Sequence, residues 1–116
     1  MNIKNKIIIL SGSEGLIGNS LKKYLIKNEA KLICLDIKKK TKKNNFDYHS
    51  CNLLNENDLI KIKNKIIKKY KKIDALINLA CLNDPVENPK KMISFKNFNS
   101  EIFKNQVEKN IMMTFL

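Results

Sequence analysis

KIIILSGSEGLIGNSLKKYLIKNEAKLICLDI, from Lys6 to Ile37, is the stretch that decides the fold. Residues 6 to 11 are apolar and largely β-branched, which suits a central parallel strand buried on both faces. Gly12, Gly15 and Gly18 then stand three apart. Behind them Ile17, Leu21, Tyr24 and Leu25 recur at helical spacing, which predicts an amphipathic helix with Lys22, Lys23 and Lys27 outside. Asn28 is the predicted helix stop, and Lys31 to Asp36 make a second strand that ends on an acid. Strand, glycine turn, helix, strand and acid, in that order, are the parts of a dinucleotide-binding βαβ unit.

The remainder continues the alternation. The segment KKKTKKNN from Lys38 reads as a surface loop, and Tyr48 to Leu53 as a short third strand. Asn55 is placed as an N-cap, with Asp58 favourable near the helix start. The helix behind it carries Leu59, Ile62, Ile66, Ile67 and Tyr70 on one face. Ile73 to Ala80, IDALINLA, is a fourth apolar strand. Pro85 and Pro89 lie in a polar loop, and a last helix starts near Ser100 with Ile102, Phe103, Val107 and Ile111. No internal repeat is visible. The pattern predicts the α/β class: one domain over residues 1–116, built on a doubly wound parallel sheet with helices on both faces. Right-handed crossovers give the strand order 3-2-1-4.

Composition narrows the function. With 116 residues and 43% hydrophobic content, the chain can bury a core. No apolar run approaches the roughly 20 residues of a membrane span. The N-terminus runs straight into a strand without a small-residue cleavage site, so no signal peptide is expected. Cys34, Cys51 and Cys81 have no C-x-x-C spacing, and His49 is the single histidine, so reduced thiols and no metal site are expected. These readings place the chain in the cytoplasm. The formal charge of +12 raises nucleic acid as a partner, yet all 23 basic residues are lysine. Arginine is the residue that reads bases and clamps phosphates bidentately, and its lack argues against a specific nucleic-acid reader. The lysine runs at 38–40, 68–69 and 71–72 read as solvated surface.

Each glycine of the turn has a task in the dinucleotide reading. Gly12 allows the tight reversal after the strand, Gly15 lets the backbone approach a pyrophosphate, and Gly18 lets the helix pack close to the sheet. Backbone N–H groups of Gly15, Leu16 and Ile17 would hold the phosphates with help from the helix dipole. Ser11 and Ser13 would add hydroxyl contacts. Asp36 can accept two hydrogen bonds from an adenosine ribose and repels a 2′-phosphate, which favours NAD over NADP, and Lys38 two residues on offsets part of that repulsion.

These residues carry a resemblance. SGSEGLIG at Ser11 to Gly18 resembles the TGxxGxxG turn of the short-chain dehydrogenase/reductase superfamily, with Ser11 for the usual Thr. The resemblance implies a Rossmann-like fold and further site residues. Cys51-Asn52-Leu53 is similar to the family's Asp followed by an apolar residue against the adenine. Asn52 departs from the Asp, but its amide oxygen can still accept from the adenine amino group. Asn78-Leu79-Ala80-Cys81 lies between the family's NNAG and the HLAA of its sugar-nucleotide epimerase and dehydratase branch. By that likeness Asn78 braces the sheet, and Ala80 and Cys81 pass beside the nicotinamide ribose. NIMMTFL from Asn110 resembles the family's NxxGTF, which makes Asn110 the Asn of the catalytic tetrad that orders a proton-relay water. Met113 stands where the family has Gly. The segment from Leu82 to Phe98, with FKNFNSEIF after it, is similar to members associated with surface-sugar or flagellin modification.

The family's catalytic acid is a Tyr with a Lys four residues later, preceded by a Ser on the fifth strand. Here Tyr24 is followed by Asn28, Tyr48 by Asn52 and Tyr70 by Asp74, so no such pair occurs. The expectation is the N-terminal cofactor-binding half of an oxidoreductase, truncated after the fourth strand and its following helix. Such a half would hold a dinucleotide and turn over a small-molecule substrate only if the other half were supplied. It would also leave the fourth strand as an exposed, apolar edge open to a protein partner. The alternatives are a non-catalytic dinucleotide-binding or protein-interaction module and, less in keeping with the residues, a basic nucleic-acid-binding domain.

Overall fold

The structure, a computed structural model, describes residues 2–39, 45–82, 94–97 and 99–115. Most of the loop from Lys38 and the segment with Pro85 and Pro89 lie outside the described residues. The chain divides into two compact units, Met1–Ala80 and Cys81–Leu116. The first holds β1 (Ile7–Ser11), α1 (Leu16–Lys27), β2 (Lys31–Asp36), β3 (Asp47–Ser50), α2 (Glu56–Tyr70) and β4 (Ala75–Asn78). The second holds a short 3₁₀ turn at Phe95–Asn97 and α3 (Ser100–Phe115).

All pairings in the sheet are parallel and the order is β3-β2-β1-β4, as the alternation of the sequence requires. Ile9 of β1 stands between Ile33 of β2 and Leu76 of β4. Every residue of β1 is buried, as is all of β2 after Lys31. The two faces of these strands alternate: Ile8, Leu10, Leu32 and Cys34 pack with Leu25 of α1 in one cluster. Ile7, Ile9, Ile33 and Leu35 point to the other face and are buried as well. α2 buries Ile62 and Ile66.

The inner stripe of α1 differs from expectation. Gly18, Lys22 and Leu25 are buried and Leu21 packs against the core, whereas Tyr24 is 59% exposed and Ile17 68%. Gly18 sets this phase, because it must touch the turn; at 100° per residue the inner face then runs 18, 21, 22, 25. Ile17 and Tyr24 fall one step to the side, and Lys22, expected outside, is only 7% exposed. In α2 the same arithmetic leaves Ile67 exposed beside buried Ile66.

Helix ends are specified locally. Asn28 is the C-cap of α1; beyond it Glu29 N–H bonds Ile26 O and Ala30 N–H bonds Leu25 O, a Schellman motif with Glu29 at φ +59°. Asn55 caps α2 by accepting from Asp58 N–H. β3 ends before the expected Leu53 because the chain turns after Cys51, where Asn52 Oδ1 accepts from Leu54 N–H. β4 is likewise only four residues, and it is an edge strand with Leu76 exposed. In α3 Ile102 is half-buried, while Phe103, Val107 and Ile111 are exposed; among the described residues of that unit there is no other helix or strand to cover them. No helix among the described residues is long and apolar enough to cross a membrane.

Candidate dinucleotide site

The carboxyl ends of β1 and β2, with the turn between β1 and α1, bring together most of the residues singled out in unit one. Gly12 has φ +67°, and a Cβ there would stand 2.6 Å from Ala80 N and 2.7 Å from Leu79 C. A Cβ on Gly18 would stand 2.2 Å from Gly12 O and 2.9 Å from Ser13 main-chain atoms. Both glycines are therefore required by the chain itself: one for the reversal beside β4, the other for the approach of α1 to the turn.

Gly15 is different. It is the N-cap of α1 at φ −76°, ψ 174°, a conformation open to any residue. A Cβ there would meet only Gly12 O, at 3.4 Å, an ordinary contact. Among the described residues nothing asks for glycine at this position. The helix start around it has the same character. No side chain caps it and its first turn holds no acid. By helix geometry the N–H groups of that turn lack intrahelical partners and carry the positive end of the dipole. Leu16 and Ile17 lie 74% and 68% exposed beside them. The donors of this turn suit an anionic group such as the diphosphate of a dinucleotide.

The serines are turned elsewhere. Ser11 Oγ donates to Asn78 Oδ1 at 3.2 Å, tying β1 to its register partner on β4. Ser13 is fully buried, and its Oγ has no hydrogen-bond partner. In this conformation neither hydroxyl reaches the outer surface of the turn, since Ser11 and Ser13 are both buried.

Asp36 ends β2 with its carboxylate held by main-chain donors: Glu14 N–H at 2.8 Å on Oδ2 and Lys38 N–H at 3.1 Å on Oδ1. Each oxygen keeps acceptor capacity for a ribose hydroxyl. The strand exit behind it is pinned, since Tyr48 O–H donates to Lys38 O at 2.6 Å and Ser50 Oγ to Ile37 O at 3.3 Å. Burial, then the charges of Asp36 and Glu14, push the Tyr48 hydroxyl up to about 12. Asn52 is exposed and Leu53 buried just beyond β3. Ala80 is half-buried; Cys81, exposed, belongs to the second unit. In that unit Asn110 Oδ1 accepts from Leu82 N–H at 2.6 Å and its Nδ2 donates to Leu82 O at 3.3 Å, so the side-chain amide clasps one peptide segment.

One pair, Lys22 and Glu14, escaped the sequence reading. Lys22 Nζ lies inside, donating to Ser13 O at 3.0 Å and to the Glu14 carboxylate at 2.5 Å, with the Phe46 ring 5.6 Å away. The signal that could have found Lys22 is its place one turn after Gly18, on the face that glycine forces inward.

A parallel sheet in order 3-2-1-4 with a glycine turn at the first strand's carboxyl end defines a Rossmann-type α/β protein. Within that class the chain belongs to the short chain dehydrogenase family, whose model matches residues 5–116. No curated protein matches it in sequence. Among solved structures, a short chain dehydrogenase from Leptospira borgpetersenii with bound NAD+ is 25% identical, with a TM-score of 0.77, over 98% of this chain and 43% of that one. A 3-ketoacyl-(acyl-carrier-protein) reductase from Brucella melitensis complexed with NADH is 18% identical, with a TM-score of 0.77, over 98% of this chain and 48% of that one. The aldohexose dehydrogenase of Thermoplasma acidophilum is 17% identical, with a TM-score of 0.73, over 97% of this chain and 41% of that one. The chain thus spans less than half the length of each of these three neighbours.

Proposed function

We propose that the chain binds a nicotinamide dinucleotide at the β1–α1 turn, with NAD favoured over NADP, and that these 116 residues alone catalyse no turnover. Gly15 carries the reading, because among the described residues only Gly12 O, at 3.4 Å, stands near where a side chain would go, so the fold they form does not itself require a glycine there. Main-chain N–H groups of Leu16 and Ile17 hold the diphosphate, the Gly15 N–H being given to Gly12 O at 3.1 Å, and the exposed side chains of Leu16 and Ile17 become covered. Asp36 receives the adenosine ribose hydroxyls and sets a negative charge where NADP carries a phosphate. By the family resemblance, Asn52 and Leu53 serve the adenine side, and Asn78 and Ala80 the nicotinamide side. The bound NAD+ in the Leptospira neighbour and the NADH in the Brucella reductase support the same cofactor class.

A bound nicotinamide supplies hydride exchange with a carbonyl or alcohol carbon. Protonating the carbonyl oxygen requires a general acid, and no Tyr-x-x-x-Lys pair occurs in the sequence to provide it. Asn110 stands in the position of the family's water-ordering Asn and serves a reaction only when that pair is supplied.

Calorimetric titration with NAD and with NADP tests the proposal. NAD is expected to bind more tightly, and Asp36→Ala is expected to narrow the difference. Tighter NADP binding overturns the role given to Asp36. No binding of either overturns the reading, and ketone reduction by the purified chain overturns the statement on turnover.

A further inference from the structure

The peptide unit joining Ser13 to Glu14 is held from both sides. Its carbonyl oxygen accepts from the Lys22 ammonium at 3.0 Å, and its N–H donates to Asp36 Oδ2 at 2.8 Å. We propose that Lys22 is a positioning residue for the nucleotide: its buried ammonium, acting through this one peptide, holds the Asp36 carboxylate where the adenosine ribose meets it. The proposal rests on the dinucleotide reading above.

Three observations carry it. Lys22 is 7% exposed in the inner stripe of α1, between Gly18 and Leu25, where an apolar side chain would fill the same space. A lysine is seldom buried unless its charge is paired, and here the pairing is directed entirely at the turn and the loop before β3. Its contacts are Ser13 O, the Glu14 carboxylate at 2.5 Å and the face of Phe46. A cation on a peptide oxygen polarises that peptide and strengthens its N–H as a donor, so the bond to Asp36 gains from Lys22 without any direct contact between the two side chains.

A lysine that only props up the turn would behave differently. Its loss would weaken cofactor binding by the same factor whether or not Asp36 is present. A lysine acting through Asp36 loses its effect when Asp36 is gone.

The test is Lys22→Met, which keeps the apolar stem and removes the ammonium, measured alone and with Asp36→Ala. In the protein without cofactor, the Glu14 amide proton is expected to move upfield and to exchange faster with solvent. By calorimetry the affinity for NAD is expected to fall about tenfold in Lys22→Met, and by less than about twofold when Asp36 is already Ala. An unmoved Glu14 amide overturns the proposal, as do equal fold-losses in both backgrounds. Should the unmutated chain bind no NAD, the functional reading fails while the amide measurement still decides whether Lys22 holds the Asp36 contact. If Lys22→Met does not fold, the same measurements are made with Glu14→Gln added, which removes the charge left behind.

Discussion

Substituting the three glycines of the turn by alanine, one at a time, separates what the fold requires from what the ligand requires. In Gly15→Ala the new methyl meets one atom, Gly12 O, at 3.4 Å, and the backbone is already at φ −76°. Removing a glycine's freedom from the unfolded chain is worth about 0.4–1 kcal/mol in favour of the variant. Glycine is the better N-cap, and losing it costs a similar amount, roughly 0.5–1 kcal/mol. The two nearly cancel, so the stability of Gly15→Ala should stay within about 0.5 kcal/mol of the parent chain. Binding should respond otherwise. A methyl over the helix start pushes a phosphate away from its N–H donors, and one charge-assisted hydrogen bond is worth roughly 1.5–3 kcal/mol. NAD affinity should therefore fall about tenfold or more. Gly12→Ala and Gly18→Ala place a methyl 2.6 Å and 2.2 Å from main-chain atoms, Gly12 at positive φ as well. Each should lose about 3 kcal/mol or more before any ligand is added. Urea denaturation gives the stabilities and calorimetry the affinities. A Gly15→Ala chain that binds NAD as the parent does would refute the assignment of the open space to the cofactor. One that unfolds would refute the claim that the chain itself makes no demand there.

Other outcomes follow from local conformations and charges. Glu29 sits at φ +59° in the C-terminal motif of α1, and its ion pair with Lys4 is exposed on both sides, so Glu29→Gly should stabilise the chain by about 0.5–1 kcal/mol in urea denaturation. A loss of stability would mean that the Lys4 pair outweighs the backbone strain. The alkaline limb of stability should be set by Cys51 and Tyr48. Burial, with Asp58 and Asp36 behind it, pushes the Cys51 thiol up to about 11, and Tyr48 stands at about 12. Both are neutral in the fold and ionise first in the unfolded chain, from about pH 8.5 for a thiol, so their contribution is complete below that value and is lost as pH rises toward 11. Cys51→Ala should flatten the early part of that decline in urea midpoints, and an unchanged slope would refute its source. The acid limb has the opposite sign. The Ile7 N–H, then Lys72, hold the Asp74 carboxyl below the usual range, so that contribution is present above about pH 4 and is lost as pH falls through the folded value. Asp74→Asn should shallow the fall in urea midpoint below pH 4.

The elements legible in the sequence are those whose signal is local. β2 runs from Lys31 to Asp36 as its apolar stretch does, and the two asparagines that end α1 and begin α2 do so through hydrogen bonds within their own turns. The strand order followed from alternation and the handedness of crossovers. What misled was periodicity read without a fixed phase. Ile17 and Tyr24 were grouped with Leu21 and Leu25 because apolar residues imply an inner face, yet Gly18 turns the helix so that Lys22 lies within and those two lie out. Strand ends were overrun for a similar reason. The strands expected at Tyr48–Leu53 and Ile73–Ala80 continue past the last ladder pairing, and pairing depends on where the neighbour strand stops.

The site divides along the same line. Sequence alone determined the parts: a glycine turn after a strand, an acid at the next strand's tip, and no Tyr-x-x-x-Lys pair. It could do so because close backbone approaches demand particular residue types at particular spacings. Only the tertiary structure decided which glycine answers to which neighbour, since the Gly12 and Gly18 contacts are made with main-chain atoms brought near by folding, while a Cβ on Gly15 meets Gly12 O at an ordinary 3.4 Å. Only it joined Lys22, the Ser13–Glu14 peptide and Asp36, residues spread from position 13 to position 36, into one chain of hydrogen bonds. A buried charge takes its meaning from the partners that surround it, and those are set by packing rather than by spacing along the chain.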